Sequence, residues 1–225
     1  MELVEFRHSK YFEFVVARLK LSNNTNYSLN ELSSFDALNP KLLINIINAF
    51  DDDWYHSNEY FEDFTTNEIL EYLFSTHAYY RESVLPSIER LILHLQKQNY
   101  GNPMVREFRN CYAAFKKEFM HHLAQEERIV FPYIKLLQKS NMHLLAQLQQ
   151  VDVISLLAHD HDPTESHPFF AWARGLRRLN LAGIHDILKL EIIVNKFTRD
   201  LKIHAFIEEE VLYFKCAELL STKKT

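Results

Sequence analysis

The chain has 225 residues, 47% of them hydrophobic and 24% charged, with a formal net charge of −5. That length suits one large core or one bundle with a small appendage, and the composition lies well away from the disordered regime. The acidic balance, with no basic runs longer than Arg177–Arg178 and Lys223–Lys224, leaves no electrostatic footprint for nucleic acid.

The apolar stretches end well short of the ~20 residues a membrane span needs. The first residues, with Glu2, Glu5, Arg7 and His8, lack the apolar core of a secretory signal. A cytoplasmic protein with neither membrane nor nucleic-acid partner is therefore expected. Three glycines and six prolines are little material for the turns and bulges of a large sheet, so the expected fold class is all-α. Cys111 and Cys216 form no C-x-x-C motif; the two could form one disulfide, but in a reduced compartment they read as buried thiols.

Residues 1–60 read as a short helical N-terminal extension, with helices around Lys10–Leu21, Leu29–Ser34 and Lys41–Phe50 and no chemistry of their own. Residues 62–221 form the main domain, expected as an up-down four-helix bundle. Its first helix runs from about Asn67 to Gln98, capped by Thr65 or Thr66. Its apolar stripe is Leu70, Leu73, His77, Tyr80, Val84, Ile88, Leu91 and Leu95, and Pro86 is a possible kink. The second helix, about Met104–Lys139, carries Phe108, Tyr112, Phe115, Phe119, His122, Glu126, Ile129 and Tyr133 in steps of three and four, with a bend or break at Pro132. A third, about Met142–His161, places Val151, Ile154, Leu157 and His161 on one face, and a further helical stretch covers Phe169–Leu179. The last, about Ile184–Leu220, carries Leu190, Val194, Phe197, Leu201, His204, Glu208 and Val211. Every stripe holds a histidine.

Two stripes carry His-x-x-x-Glu, as His122–Glu126 and His204–Glu208. A helix returns to one face after about four residues, so each imidazole and its carboxylate aim at the same point. A single buried His–Glu pair is readily explained by an arginine or lysine partner. Four helices each turning a histidine inward, two with a glutamate, are better explained by metal, because unpartnered buried carboxylates cost several kcal/mol and repel one another. His77, His122, Glu126, His161, His204 and Glu208 supply six donors, too many for a closed tetrahedral zinc site and enough for two ions bridged by both carboxylates. Imidazole and carboxylate without thiolate suit non-haem iron, with manganese or zinc as alternatives. Positions left for an oxygen bridge, water or a diatomic molecule make the site open. The ferritin-like arrangement needs Glu-x-x-His pairs and two solitary glutamates, and the order here is the reverse.

Among the remaining residues, His121 lies about 100° round the helix from His122 and reads as a flanking residue. His159 and His167 flank the third ligand and are alternatives to His161. His8, His56, His94, His143 and His185 read as surface or capping residues. Glu127, Glu209, Glu210 and Asp160 are candidates to hold the ligands' outer nitrogens.

The segments His77-Ala-Tyr-Tyr-Arg-Glu-Ser-Val-Leu-Pro86, His122-Leu-Ala-Gln-Glu-Glu-Arg-Ile-Val-Phe-Pro132, Asp160-His161-Asp162 and His204-Ala-Phe-Ile-Glu-Glu-Glu-Val-Leu-Tyr-Phe214 resemble the hemerythrin-like, or HHE cation-binding, superfamily. Within it they are most similar to the repair-of-iron-centres proteins. The resemblance implies two non-haem iron ions, oxo- and carboxylate-bridged, with His77, His122, His161 and His204 as terminal ligands and Glu126 and Glu208 as bridges. It also implies nitric oxide or oxygen as the small partner, damaged iron–sulfur proteins as macromolecular partners, and a role in stress response or cluster repair. A reversible carrier or sensor of oxygen or nitric oxide is the alternative function, and a helical protein working empty or with zinc is a third. The chain departs from the family pattern in lacking an N-terminal cysteine pair, in Pro163–Thr164 after Asp162, and in Tyr213-Phe214-Lys215 where Phe-Pro is expected.

Overall fold

The computed structural model describes residues 39–51, 57–139 and 167–221, together with Val15. The helices expected over Leu29–Ser34 and Met142–His161, and all of Lys10–Leu21 but Val15, lie outside the described residues. All described secondary structure is helical. No described helix is long and apolar enough to cross a membrane.

Helix α1 (Pro40–Asp51) buries two adjacent rows, Leu42, Ile46 and Ala49 beside Leu43, Ile47 and Phe50, so one broad face is committed to a core. A 3-10 turn (Asn58–Tyr60) precedes α2 (Thr66–Tyr79). Thr65 and Glu68 form a reciprocal cap at its start. The Glu68 amide donates to Thr65 Oγ1 at 3.3 Å, and the Thr65 amide donates to Glu68 Oε2 at 2.7 Å. Asn39 Nδ2 donates to the other Glu68 oxygen at 2.7 Å. These bonds, that from Asn39 first, hold the Glu68 carboxyl below its usual range.

Three long helical runs follow the sequence stripes, and each contains a π-helical segment. The first is α2, π Tyr80–Val84 and α3 (Leu85–Gln98). The second is α4 (Pro103–Gln125), π Glu126–Val130 and α5 (Phe131–Gln138). After α6 (Pro168–Gly175) and a 3-10 turn (Leu176–Leu179), the third is α7 (Ile184–Phe206), π Ile207–Leu212 and α8 (Tyr213–Ser221).

A π turn closes i→i+5 and uses one residue more than an α turn, so the helical phase slips. The slip buries consecutive residues at the end of each segment: Val84 with Leu85, Val130 with Phe131, and Val211 with Leu212. It also corrects the second stripe. Ile129 is half-buried whereas Tyr133 is buried as expected, and Val130, Phe131 and Ile134 join the core. Pro86 and Pro132, expected as kinks, each stand second in the α-helix after a π segment. Proline is tolerated in a first helical turn, where its missing N–H is not needed. The third π segment has no proline after it, so proline is not what the three share.

The chain divides into two compact units, and each long run contributes to both. The first unit contains α1, α2 as far as Ala78, the second run from Glu126, and the third from Ile203. Its core joins α1 to Leu70, Leu73, Phe131, Ile134, Ile207 and Leu212. The second unit contains 79–125 and 167–202 and is packed with rings. Within it Asn99 ends α3, Gly101 adopts φ +79°, and Asn102 Oδ1 accepts from the Met104 amide just ahead of Pro103-led α4. His167 caps α6, its Nδ1 accepting from the Phe169 amide at 3.1 Å, so this histidine acts on the backbone. Cys111 and Cys216 are both free thiols, and burial pushes Cys216 up to about 12.

Candidate metal centre

Four of the six expected ligands come together in the first unit. His77 lies three residues before a π segment, Glu126 begins one, and His204 and Glu208 straddle the start of the third. All four are buried, and one donor atom from each falls within 4.8 Å of the others. His77 Nε2 stands 3.1 Å from His204 Nε2, 3.5 Å from Glu126 Oε2 and 3.9 Å from Glu208 Oε1. His204 Nε2 stands 3.3 Å from Glu208 Oε1. Two donors about 2.1 Å from a shared ion are about 3 Å apart when cis and about 4.2 Å when trans. These separations fit that pattern, so the group could hold a metal ion.

The electrostatics suit a cation. Burial lowers His77 from 6.5 to about 4, although its hydrogen bond to Glu127 works the other way, so the ring is neutral at pH 7. His77 Nδ1 lies 3.1 Å from Glu127 Oε1. A carboxylate there only accepts, which fixes the proton on Nδ1 and leaves the Nε2 lone pair facing the other three donors. Glu127 therefore orients His77, as expected for an acid next to a ligand. Two carboxylates sharing this interior space repel one another, and an ion between them offsets that repulsion.

The surroundings are dry and aromatic. Phe131 stacks on His77 with ring centres 5.5 Å apart and planes 25° apart, and Phe74 meets Phe131 edge-on at 4.9 Å. The Tyr213 phenol is raised well above its ordinary range, first by burial and then by the charges of Glu208, Glu126 and Glu209, so it keeps its proton. Sequence reasoning missed both Phe131 and Tyr213 as neighbours of the centre. Phe131 was hidden by the phase slip, and Tyr213 stood out only as a departure from Phe-Pro.

His122 is half-buried and is not one of the four. His161, with His159 and Asp160, lies outside the described residues. His121 is exposed, as its helical phase requires, and exposed His94 pairs with Asp186 at 2.8 Å. No protein-family model matches the chain, and no curated protein and no solved structure matches it. The chemistry of the centre therefore rests on the donor set itself.

Proposed function

We propose that the chain is a non-haem di-iron protein of the hemerythrin-like kind that binds or reacts with nitric oxide or oxygen, in stress response or in the repair of iron–sulfur clusters. The observation that carries the reading is the convergence of His77, Glu126, His204 and Glu208 on one buried point. Imidazole and carboxylate donors without thiolate favour iron over zinc. In this reading the three long runs belong to the up-down four-helix bundle expected from the sequence, and His122 and His161, the remaining expected ligands, complete the ligation of a second ion.

An iron pair supplies one-electron chemistry and open positions for a diatomic molecule. The chain's residues do the rest. Glu127 holds the proton on His77 Nδ1 and so fixes the ring. Glu126 and Glu208 bring the negative charge that balances the ions. Phe131 covers one face of His77 and keeps water from it. Tyr213 stays protonated, held so first by burial and then by the charges of Glu208 and Glu126, and so adds no negative charge beside the carboxylates.

Elemental analysis of the purified protein with its visible spectrum tests the reading. About two irons per chain are expected, with near-complete loss in Glu126→Ala or Glu208→Ala and retention in His121→Ala. Absence of metal after iron reconstitution, or equal loss in His121→Ala, overturns it.

A further inference from the structure

Away from the four donors, the second unit carries three guanidinium groups within five residues, Arg174, Arg177 and Arg178. In a chain of net charge −5, the twenty residues 166–185 contain no aspartate or glutamate. These arginines stand on the last turn of α6 and the 3-10 turn after it, and they line a groove of about 460 Å³ whose other wall is Glu191, Val194 and Asn195 of α7. Its volume lies within the range of small-molecule sites. Ala173 and Val194 lie beneath the groove, both almost fully buried.

The charges are unevenly used. Arg177 is ion-paired with Glu191, which is itself largely buried and anchors that guanidinium against α7. Among the described residues Arg174 and Arg178 have no carboxylate partner, although both are exposed at the rim. Three neighbouring guanidiniums repel one another, and a single internal glutamate offsets one of them. Two positive charges remain at the rim of the groove. A monocarboxylate balances only one, whereas a phosphate monoester carries about −1.5 to −2 at pH 7 and offers three acceptor oxygens to forked donors.

We propose that this groove binds a small molecule bearing a phosphate group, with Arg174 and Arg178 at its rim neutralising the phosphate. The proposal stands independently of the metal reading. Calorimetric titration of the full chain with phenyl phosphate tests it, with benzoate as the same ring on a carboxylate. Phenyl phosphate should bind at one site per chain, and Arg174→Ala or Arg178→Ala should each weaken it about tenfold or more. Added salt should weaken it further, and benzoate should bind at least tenfold less well. Both arginines are exposed, so the variants should fold, which circular dichroism checks. Absence of phenyl phosphate binding overturns the proposal. So does equal binding of benzoate, or undiminished binding in the double variant, which would locate the phosphate elsewhere, the histidine–glutamate group included.

Discussion

The first unit gathers four ionisable side chains in its interior, while the second fills its interior with rings. In the first, His77, Glu126, His204 and Glu208 are all but inaccessible to solvent, a state that lowers stability unless a cation compensates. In the second, Phe115 alone meets the rings of Phe119, His167, Phe169, Phe170 and Phe197 at 5.1–6.1 Å. Such pairs add to the large apolar area each ring buries. Four of the five buried histidine and carboxylate side chains among the described residues thus lie in one unit, Asp200 of the second being the exception, and such a concentration is where function is expected to break local rules. The same helical stripe supplies both: on α7, Phe197 serves the rings and His204, seven residues later, the donor group.

Phe115→Ala is the strongest stability probe of this contrast. Truncating a fully buried phenylalanine costs about 3–5 kcal/mol, and urea unfolding should show it while the metal content of the folded fraction stays unchanged. If the variant loses metal as completely as Glu208→Ala, the division between a ring-filled unit and a ligand-bearing one fails.

Acid should act on the other side of the comparison, through His77. The unfolded chain takes up this proton near pH 6.5 and the folded one only near pH 4. The unfolded state therefore binds more protons in that window, and stability rises with pH across it. In the metal-free chain this contribution is complete above 6.5, erodes as the pH falls, and levels off near 4, a total of roughly 3 kcal/mol. Unfolding free energies of wild type and His77→Leu between pH 4 and 7.5 measure it. Equal slopes in the two proteins would show that His77 is not the buried neutral group.

Much of this contrast could be read from the amino acids. Residues at steps of three and four identified the buried faces of the long runs: Leu70, Leu73, His77, Tyr80 and Val84 in the first, and Leu190 through Val211 in the last. The His-x-x-x-Glu spacing pointed to Glu126, His204 and Glu208 for the same reason. What stayed hidden was the π turn. It is a one-residue slip that no local residue preference announces, since two of the three segments precede a proline-bearing turn and the third does not. From Glu126 onward it moves burial from Ile129 to Val130 and Phe131, and so sets Phe131 against His77. Spacing also could not distinguish His122–Glu126 from His204–Glu208, because four residues leave a pair about 40° apart on an α-helix in either case. His204 is buried and joins the donor group, whereas His122 is half-buried and does not.

The smallest expected effect comes from the start of α2, twelve residues before His77. Thr65 Oγ1 receives the Glu68 amide and in addition lies 2.8 Å from Glu68 Oε2, so one hydroxyl serves both halves of the cap. Thr65→Ala removes the acceptor for an amide with no partner inside the helix, at a cost of about 1 kcal/mol. Thr65→Ser should restore most of it, since serine offers the same oxygen. The cost should also depend on pH, with a sign fixed by Glu68. Its carboxyl is held below 4.5 by Asn39 and Thr65, so it contributes stability above that pH and loses it as the pH falls through and below 4.5. The difference between wild type and Thr65→Ala in urea unfolding should therefore shrink in acid, while metal content at neutral pH stays unchanged. A difference that grows in acid, or is matched by Thr65→Ser, would mean that the hydroxyl does not cap α2 and that this helix begins on packing alone.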